Sequence, residues 1–151
     1  MYGLFRGVQA VKSDLQVKEC SLPGAPKVLK LADQAVISIV DDDDSVRVAT
    51  SKLLKLYGFI VHAFGSAEEF LRSKYLDETR CLIADVRMPG MSGIELQERL
   101  KQQGYTTPVI FITAFPRERE QALAMGGGAI CFLTKPFDAK TLLKFIEEAL
   151  M

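Results

Sequence analysis

Short apolar runs recur along the chain from Ala35 onward, and longer segments of mixed character separate them. Most of these runs are apolar without interruption, which is typical of strands that are covered on both faces of a sheet. The segments between them place apolar residues three or four positions apart, as an amphipathic helix does. We therefore expect five strands that alternate with five helices. The predicted strands are AVISIV (35–40), FIVHAF (59–64), CLIAD (81–85), PVIFIT (108–113) and AICFLT (129–134).

Several residues mark the ends of the predicted helices. The second and third helices open with Ser-x-x-Glu at Ser66 and Ser92, which is the pattern of a capping box. The glycines at 126–128 follow the fourth helix and are expected to end it. Asp44 precedes the first helix and is predicted to be its N-cap, which leaves Asp43 as an exposed residue.

Strands that alternate with helices form repeated βα units, and such units build a parallel sheet with helices on both faces. The crossovers between the strands are almost always right-handed. Ligands bind to such sheets beyond the carboxyl ends of the strands, where the strand order reverses. The functional side chains are therefore expected directly after the apolar runs.

The bulk composition narrows the class of protein. A chain of 151 residues with 48% hydrophobic and 25% charged residues is suited to one globular domain. The 19 basic and 19 acidic residues cancel, which argues against binding of nucleic acid by the domain as a whole. The apolar runs are too short to span a membrane, and Cys20, Cys81 and Cys131 lack the spacing of a metal site. We expect a cytoplasmic protein with an extension or linker at 1–34 and the domain at 35–151.

The residues at the strand ends carry the chemistry. Asp41 and Asp42 follow the first strand, and Asp85, Thr113 and Lys135 stand at the ends of the third, fourth and fifth. Three neighbouring carboxylates repel one another, and a hard divalent cation such as Mg²⁺ relieves that repulsion. A lysine ammonium can bind a phosphoryl oxygen as a point charge. A carboxylate nucleophile beside these groups can accept a phosphoryl group.

Four segments together resemble the receiver domain of bacterial two-component response regulators, most of all the FixJ-type subgroup. They are IVDDDDSVR, IADVRMPGMSG, FITAF and CFLTKPF, and the resemblance covers about residues 35 to 150. It implies a flavodoxin-like (βα)5 fold with strand order 2-1-3-4-5. It also implies a signalling switch that is not a metabolic enzyme, although such domains catalyse their own phosphorylation and dephosphorylation.

The resemblance assigns a role to each residue of the site. Asp85 would accept a phosphoryl group from a sensor histidine kinase or a phosphotransfer protein. Asp41 and Asp42, with Asp85 and the backbone carbonyl of Arg87, would hold Mg²⁺, or Mn²⁺ in its place.

The remaining roles concern the phosphoryl oxygens and the response to them. Thr113 and Lys135 would contact the phosphoryl oxygens, and Lys135 would precede Pro136 through a cis peptide bond. Phe132 stands where receivers carry an aromatic that changes rotamer with the threonine, although its position also suits a core residue. Partners would bind the face of helix four, strand five and helix five, or helix one, and the former face leaves room for a homodimer.

Two departures from the family pattern stand out. The three glycines at 126–128 exceed the usual single glycine, and they are expected to loosen the turn after helix four. Arg87 and Phe115 are bulky residues two positions after Asp85 and Thr113. We expect them to hinder the water that hydrolyses the acyl phosphate, and so to slow dephosphorylation.

Two rival functions remain open on the sequence alone. The domain could be an interaction module that kept the fold and lost the chemistry, although every expected site residue is present. It could also be a magnesium-dependent phosphatase with an aspartate nucleophile, but that class usually has an acid where Arg87 stands. His62 lies on strand two, away from the predicted site, and is expected to be structural. The sequence leaves open whether the receiver stands alone or belongs to a longer transcriptional regulator.

Overall fold

The computed structural model of the protein describes residues 35–151, so the predicted extension at 1–34, with Cys20, lies outside the described residues. Strands and helices alternate along the described range, as the hydrophobic pattern predicts. No helix in this range has the length and apolar character needed to cross a membrane. The elements are β1 Val36–Val40, α1 Asp44–Leu56, β2 Ile60–Phe64, α2 Ala67–Leu71, β3 Cys81–Asp85, α3 Gly93–Gln102, β4 Val109–Thr113, α4 Glu118–Gly126, β5 Cys131–Thr134 and α5 Ala139–Leu150.

The five strands of the described range form one parallel sheet in the order β2-β1-β3-β4-β5. This confirms the predicted strand order and the flavodoxin-like architecture. β1 lies between β2 and β3, and Ile37 pairs with Val61 on one side and with Cys81 on the other. The order in which successive strands are added reverses at β1, because β2 lies on one side of it and β3 on the other. Since β1 and β3 are parallel neighbours, their carboxyl ends lie side by side.

Helices cover both faces of the sheet and divide the core in two. α1 and α5 pack on one face, against alternate strand residues such as Ile39 and Ile83. α2, α3 and α4 pack on the other face, against the intervening residues such as Leu82 and Phe111. All residues of β1, β3 and β4 are buried, because these central strands are covered on both sides.

β2 is an outer strand of the sheet, and it is the most exposed of the strands in the described range. His62 lies on this strand and stacks against the ring of Tyr75, with the ring centroids 3.6 Å apart. The imidazole is therefore used in packing at the sheet margin, as expected for a structural histidine.

The predicted capping boxes form to different extents. At α3 the box is complete, because Ser92 accepts from the backbone of Glu95 and the Glu95 carboxylate accepts from the backbone of Ser92. At α2 only half of it forms: Ser66 accepts from the Glu69 amide at 3.1 Å. The Glu69 carboxylate instead accepts from the amide of Gly65 at 2.9 Å.

The prediction that Asp44 is the N-cap of α1 was wrong by one residue. Asp43 has the extended backbone of a cap, and its carboxylate accepts from the amides of Ser45 at 2.9 Å and Val46 at 3.3 Å. Asp44 is already the first helical residue, and its carboxylate pairs with the guanidinium of Arg47. Asp43 is exposed, as expected, but it has a structural role.

The three glycines at 126–128 lie at the carboxyl end of α4, where Gly126 is the last helical residue and Gly127 the C-cap. Gly128 has a φ of 96°, a backbone conformation that favours glycine. A Cβ at Gly127 would stand 2.6 Å from Oε1 of the buried Gln97, whereas a Cβ at Gly126 would meet no atom within 4 Å. Gly128 therefore needs glycine for its backbone conformation, and a side chain at Gly127 would displace the side-chain amide of Gln97.

Candidate functional site

Three aspartates meet at the carboxyl edge of the sheet. One carboxylate oxygen from each of Asp41, Asp42 and Asp85 lies within 4.8 Å of the others. They come together because Asp41 and Asp42 follow β1, Asp85 ends β3, and these strands are neighbours. Asp41 and Asp85 are buried and Asp42 is exposed, so the cluster opens to solvent on one side.

Asp41 carries a carboxylate oxygen that is buried without a hydrogen bond. Its Oδ1 accepts from the amide of Asp43 at 2.9 Å, but Oδ2 has no hydrogen-bond donor among residues 35–151. Lys135 Nζ lies 2.9 Å from this Oδ2, so the contact is an ion pair whose direction does not suit a hydrogen bond. One lysine is shared between the buried carboxylates of Asp41 and Asp85, so the pair favours a further cation.

Asp85 lies beside Asp41 and shares the same lysine. Lys135 Nζ is 3.4 Å from Asp85 Oδ2, and the amide of Arg87 is 3.4 Å from Oδ1. Burial raises the pKa of Asp85 to about 6, the negative charge of Asp41 adds to this, and Lys135 opposes it. The ionised form of Asp85 is therefore disfavoured in the folded protein, and a further cation beside it would stabilise that form.

Lys135 is the cationic member of the cluster. Burial lowers the pKa of its ammonium, but the carboxylates of Asp41 and Asp85 outweigh that effect and raise the pKa above its ordinary value. Its backbone amide donates to the carbonyl of Thr113 at 2.8 Å, which joins the ends of β4 and β5. The lysine follows this junction, where a cis peptide bond links it to Pro136.

Thr113 ends β4 and is almost fully buried. Its hydroxyl oxygen accepts from the amide of Phe115 at 3.3 Å, and the hydroxyl proton remains available to an acceptor at the strand edge. Phe132, on the neighbouring strand β5, is half-buried, with its ring centroid 6.3 Å from that of Phe111. Phe132 therefore packs at the edge of the core between β4 and β5.

The loop between β3 and α3 is held close to Asp85 by contacts that no local sequence signal indicates. A Cβ at Gly93 would stand 2.2 Å from the carbonyl oxygen of Asp85, so only glycine permits this approach. On the other side, Glu68 of α2 accepts from the amide of Met91 at 3.0 Å. Hydrogen bonds from backbone amides, its own and that of Met91, hold the pKa of Glu68 below its ordinary value.

Two bulky side chains stand at the margin of the site. Phe115 is 73% exposed, and it follows Thr113 by two residues. The guanidinium of Arg87 lies beside the carboxylate of Glu120 in the first turn of α4. Arg87 and Phe115 are expected at this margin from their spacing to Asp85 and Thr113, whereas no local sequence signal indicates Glu120.

The donors at this edge fit a hard divalent cation. All are oxygens, two of the three carboxylates are buried, and Asp41 Oδ2 is a buried oxygen without a hydrogen bond. Carboxylates with open positions for water and phosphate oxygens are typical of Mg²⁺ sites. Among the described residues, the arrangement therefore suits the predicted cation better than it suits an empty acidic cluster.

A comparison with models of protein families identifies the family of this domain. Residues 37–147 match the family model described as the response regulator receiver domain. The chain therefore belongs to the response regulator receiver domain family, whose members act as phosphorylation-dependent switches in two-component signalling.

Individual relatives support the FixJ-type resemblance. Nodulation protein W of Bradyrhizobium diazoefficiens is 41% identical over 116 residues, which are 77% of this chain and 51% of that protein. Transcriptional regulatory protein FixJ of the same organism is 38% identical over 114 residues, 76% of this chain and 56% of FixJ. The chain spans about half the length of the curated relatives it matches.

Solved structures agree with the fold. The response regulator StyR is 44% identical and superposes with a TM-score of 0.72, over 78% of this chain and 59% of StyR. The structure of FixJ-N is 35% identical with a TM-score of 0.70, over 78% of this chain and 94% of FixJ-N. The described domain thus has the size and the architecture of a receiver.

Proposed function

We propose that this domain accepts a phosphoryl group on Asp85 from a histidine kinase or a phosphotransfer protein, with Mg²⁺, and then changes its partner-binding face. The observation that carries the proposal is the buried pair Asp41–Asp85, bridged by Lys135 and opened to solvent beside Asp42. Phosphoryl transfer needs mainly positioning and charge neutralisation, and this cluster supplies both.

In the proposed transfer, a carboxylate oxygen of Asp85 attacks the phosphorus of a phosphohistidine. A new O–P bond forms, the P–N bond breaks, and its electron pair returns to the imidazole of the donor. The Lys135 ammonium binds a phosphoryl oxygen as negative charge develops there, and the Thr113 hydroxyl donates to another phosphoryl oxygen. Asp41, Asp42, Asp85 and the backbone carbonyl of Arg87 would hold a divalent cation, which would supply positive charge to offset that of the carboxylates and the phosphoryl group.

The response is proposed to run through Thr113 and Phe132. Thr113 is buried at the edge where the phosphoryl group would form, and Phe132 lies on the next strand. Movement of the threonine hydroxyl toward the phosphoryl group would give the half-buried ring of Phe132 space to turn inward. The face of α4, β5 and α5 exposes Leu123 and Met125, which suits a partner or a second copy of the domain.

The phosphodonor is proposed to approach beside α1. An apolar groove of about 480 Å³ lies there, next to Lys135, and includes Val46, Leu53 and Phe137. A donor helix in this groove would bring its phosphohistidine to the open side of the site. Because two-component donors act in the cytoplasm, we propose that location for this domain. The balanced charge of the chain supports action through protein partners without direct contact to nucleic acid.

Phosphorylation of the full chain tests the proposal. We expect incubation with a small acyl phosphate and Mg²⁺ to add one phosphoryl group by intact mass, and chelation of the cation to prevent it. Asp85→Asn should abolish the addition, while Glu98→Gln, an exposed acid on α3, should leave it unchanged. Absence of uptake would favour an inert interaction module, and continuous turnover of the donor by Asp85→Asn would favour an enzyme with another nucleophile.

A further inference from the structure

The ion pair between Arg87 and Glu120 connects the β3–α3 loop, which follows Asp85, to α4. Arg87 lies two residues beyond Asp85, and Glu120 lies in the first turn of α4. Arg87 Nε is 3.5 Å from Glu120 Oε1, and the two side chains are 37% and 25% exposed. The contact therefore spans the margin between the site and a helix of the proposed partner-binding face.

The pair is electrostatic but poorly hydrogen-bonded. Arg87 Nε and Nη2 and Glu120 Oε1 are all buried, and none of them has a hydrogen-bond partner within residues 35–151. Buried charged groups without hydrogen bonds are costly, so both side chains would gain from a better partner. For a guanidinium with two free N–H donors, the oxygens of a phosphoryl group are such a partner.

The surroundings leave the guanidinium space to move. A cavity of about 430 Å³ lies between the β3–α3 loop and α4. Arg87 and Glu120 line it, with Met88 and Ile94 among its other walls. A rotamer change of Arg87 within this cavity needs no displacement of the central strands.

α4 is held at its two ends by different kinds of contact. At its carboxyl end, the buried Gln97 donates from Nε2 to the carbonyl of Ala124 at 3.1 Å. At its amino end, the N-cap residue Arg117 makes no side-chain capping bond. The ion pair to Glu120 therefore links this uncapped first turn to the β3–α3 loop.

We infer that Arg87 exchanges partners on phosphorylation: its guanidinium leaves Glu120 for the phosphoryl group on Asp85 and so releases the first turn of α4. The inference rests on the proposed function, because it needs a phosphoryl group at Asp85. Glu120 competes with the phosphoryl group for one cation, and the two states differ in which anion holds Arg87. Arg87 is thus a positioning residue for α4 in one state and a phosphoryl ligand in the other.

The test uses beryllofluoride with Mg²⁺ as a phosphoryl analogue on the full chain. Removing the competing carboxylate with Glu120→Gln should tighten beryllofluoride binding about two- to fivefold, the size expected for a half-exposed ion pair. Glu118→Gln is the matched control, because Glu118 lies in the same turn of α4, is exposed, and forms no described ion pair. The control removes the same charge and should change the affinity by less than about 1.5-fold.

A second readout separates partner exchange from a purely structural effect. Without beryllofluoride, Glu120→Gln should already shift the amide NMR signals of the first turn of α4 toward their beryllofluoride-bound positions. In an Arg87→Ala background, Glu120→Gln should change neither the affinity nor those signals, because the two residues act as one pair.

Three results would overturn the inference. Equal effects of Glu118→Gln and Glu120→Gln would show a general charge effect, and unchanged binding by Glu120→Gln would show no competition. Persistence of the Glu120→Gln effect in the Arg87→Ala background would show that Arg87 is not the shared cation. If the unaltered chain binds no beryllofluoride and takes no phosphoryl group, the proposed function fails as well, whereas normal binding with a neutral Glu120→Gln removes only this inference.

Discussion

α3 and α4 are neighbours on the same face of the sheet, yet they are attached to it very differently. α3 buries four residues, Gly93, Leu96, Gln97 and Leu100, whereas α4 buries only Ala124. The strands beneath them differ in the same way, because β3 is buried throughout and β5 is partly exposed. The acidic site lies beside the well-packed elements α3 and β3, whereas the proposed conformational response lies in the more loosely packed α4 and β5. A fixed site next to a weakly held helix allows a local charge change to move that helix.

The largest test of this contrast is a pair of truncations, one on each side. Leu96→Ala removes a fully buried side chain of α3 and should lower the free energy of unfolding by about 2–5 kcal/mol. Leu123→Ala removes an apolar side chain of α4 that is 52% exposed, and should change the free energy by about 0.5 kcal/mol or less. Urea unfolding followed by circular dichroism measures both. Comparable losses would mean that α4 is packed as firmly as α3.

A smaller change in the free energy of unfolding is expected when Asp85 is replaced. Since burial and Asp41 raise the pKa of Asp85 to about 6, its ionised form destabilises the folded chain at neutral pH in the absence of a cation. Asp85→Asn should therefore raise the free energy of unfolding at pH 7 by on the order of 1–2 kcal/mol.

The pH dependence of this gain has a definite sign. The unfolded carboxyl ionises near its ordinary pKa of about 4, while the folded one keeps its proton to about 6. The advantage of Asp85→Asn should be small at pH 4, grow between these values, and stay constant above. Saturating Mg²⁺ should reduce it by stabilising the unaltered chain. Thermal unfolding across pH measures it, and an advantage that shrinks as pH rises would contradict the account.

Much of the domain and its site could be predicted from the sequence because the signals were local. Each site residue directly follows or ends an apolar run, so the parallel topology alone brings Asp41, Asp85 and Lys135 together. The N-cap of α1 was misplaced by one residue, because Asp43 and Asp44 are chemically identical and only the backbone angles separate them. Glu120 could not be found, since its partner lies in another element and nothing in its own segment indicates the contact.

The smallest predicted effect concerns the lifetime of the acyl phosphate on Asp85. Phe115 and Arg87 flank the site, and we expect both to restrict the approach of water to the acyl phosphate. Phe115→Ala and Arg87→Ala should each shorten the lifetime by about twofold or more. Leu56→Ala, an exposed apolar residue on α1, is the control and should leave it unchanged. Loss of phosphate followed by intact mass measures the lifetime, and lifetimes that stay the same would refute the expectation.

Hydrogen exchange of the full chain, with and without beryllofluoride and Mg²⁺, tests the central claim most directly. The account predicts that amides of α4 and β5 change their protection on binding, while those of α3 outside its first turn and of the buried strands β3 and β4 keep theirs. The change should disappear in Asp85→Asn. Protection that changes equally in α3 and α4, or that changes in Asp85→Asn as well, would contradict a switch built on Asp85 and read out at α4.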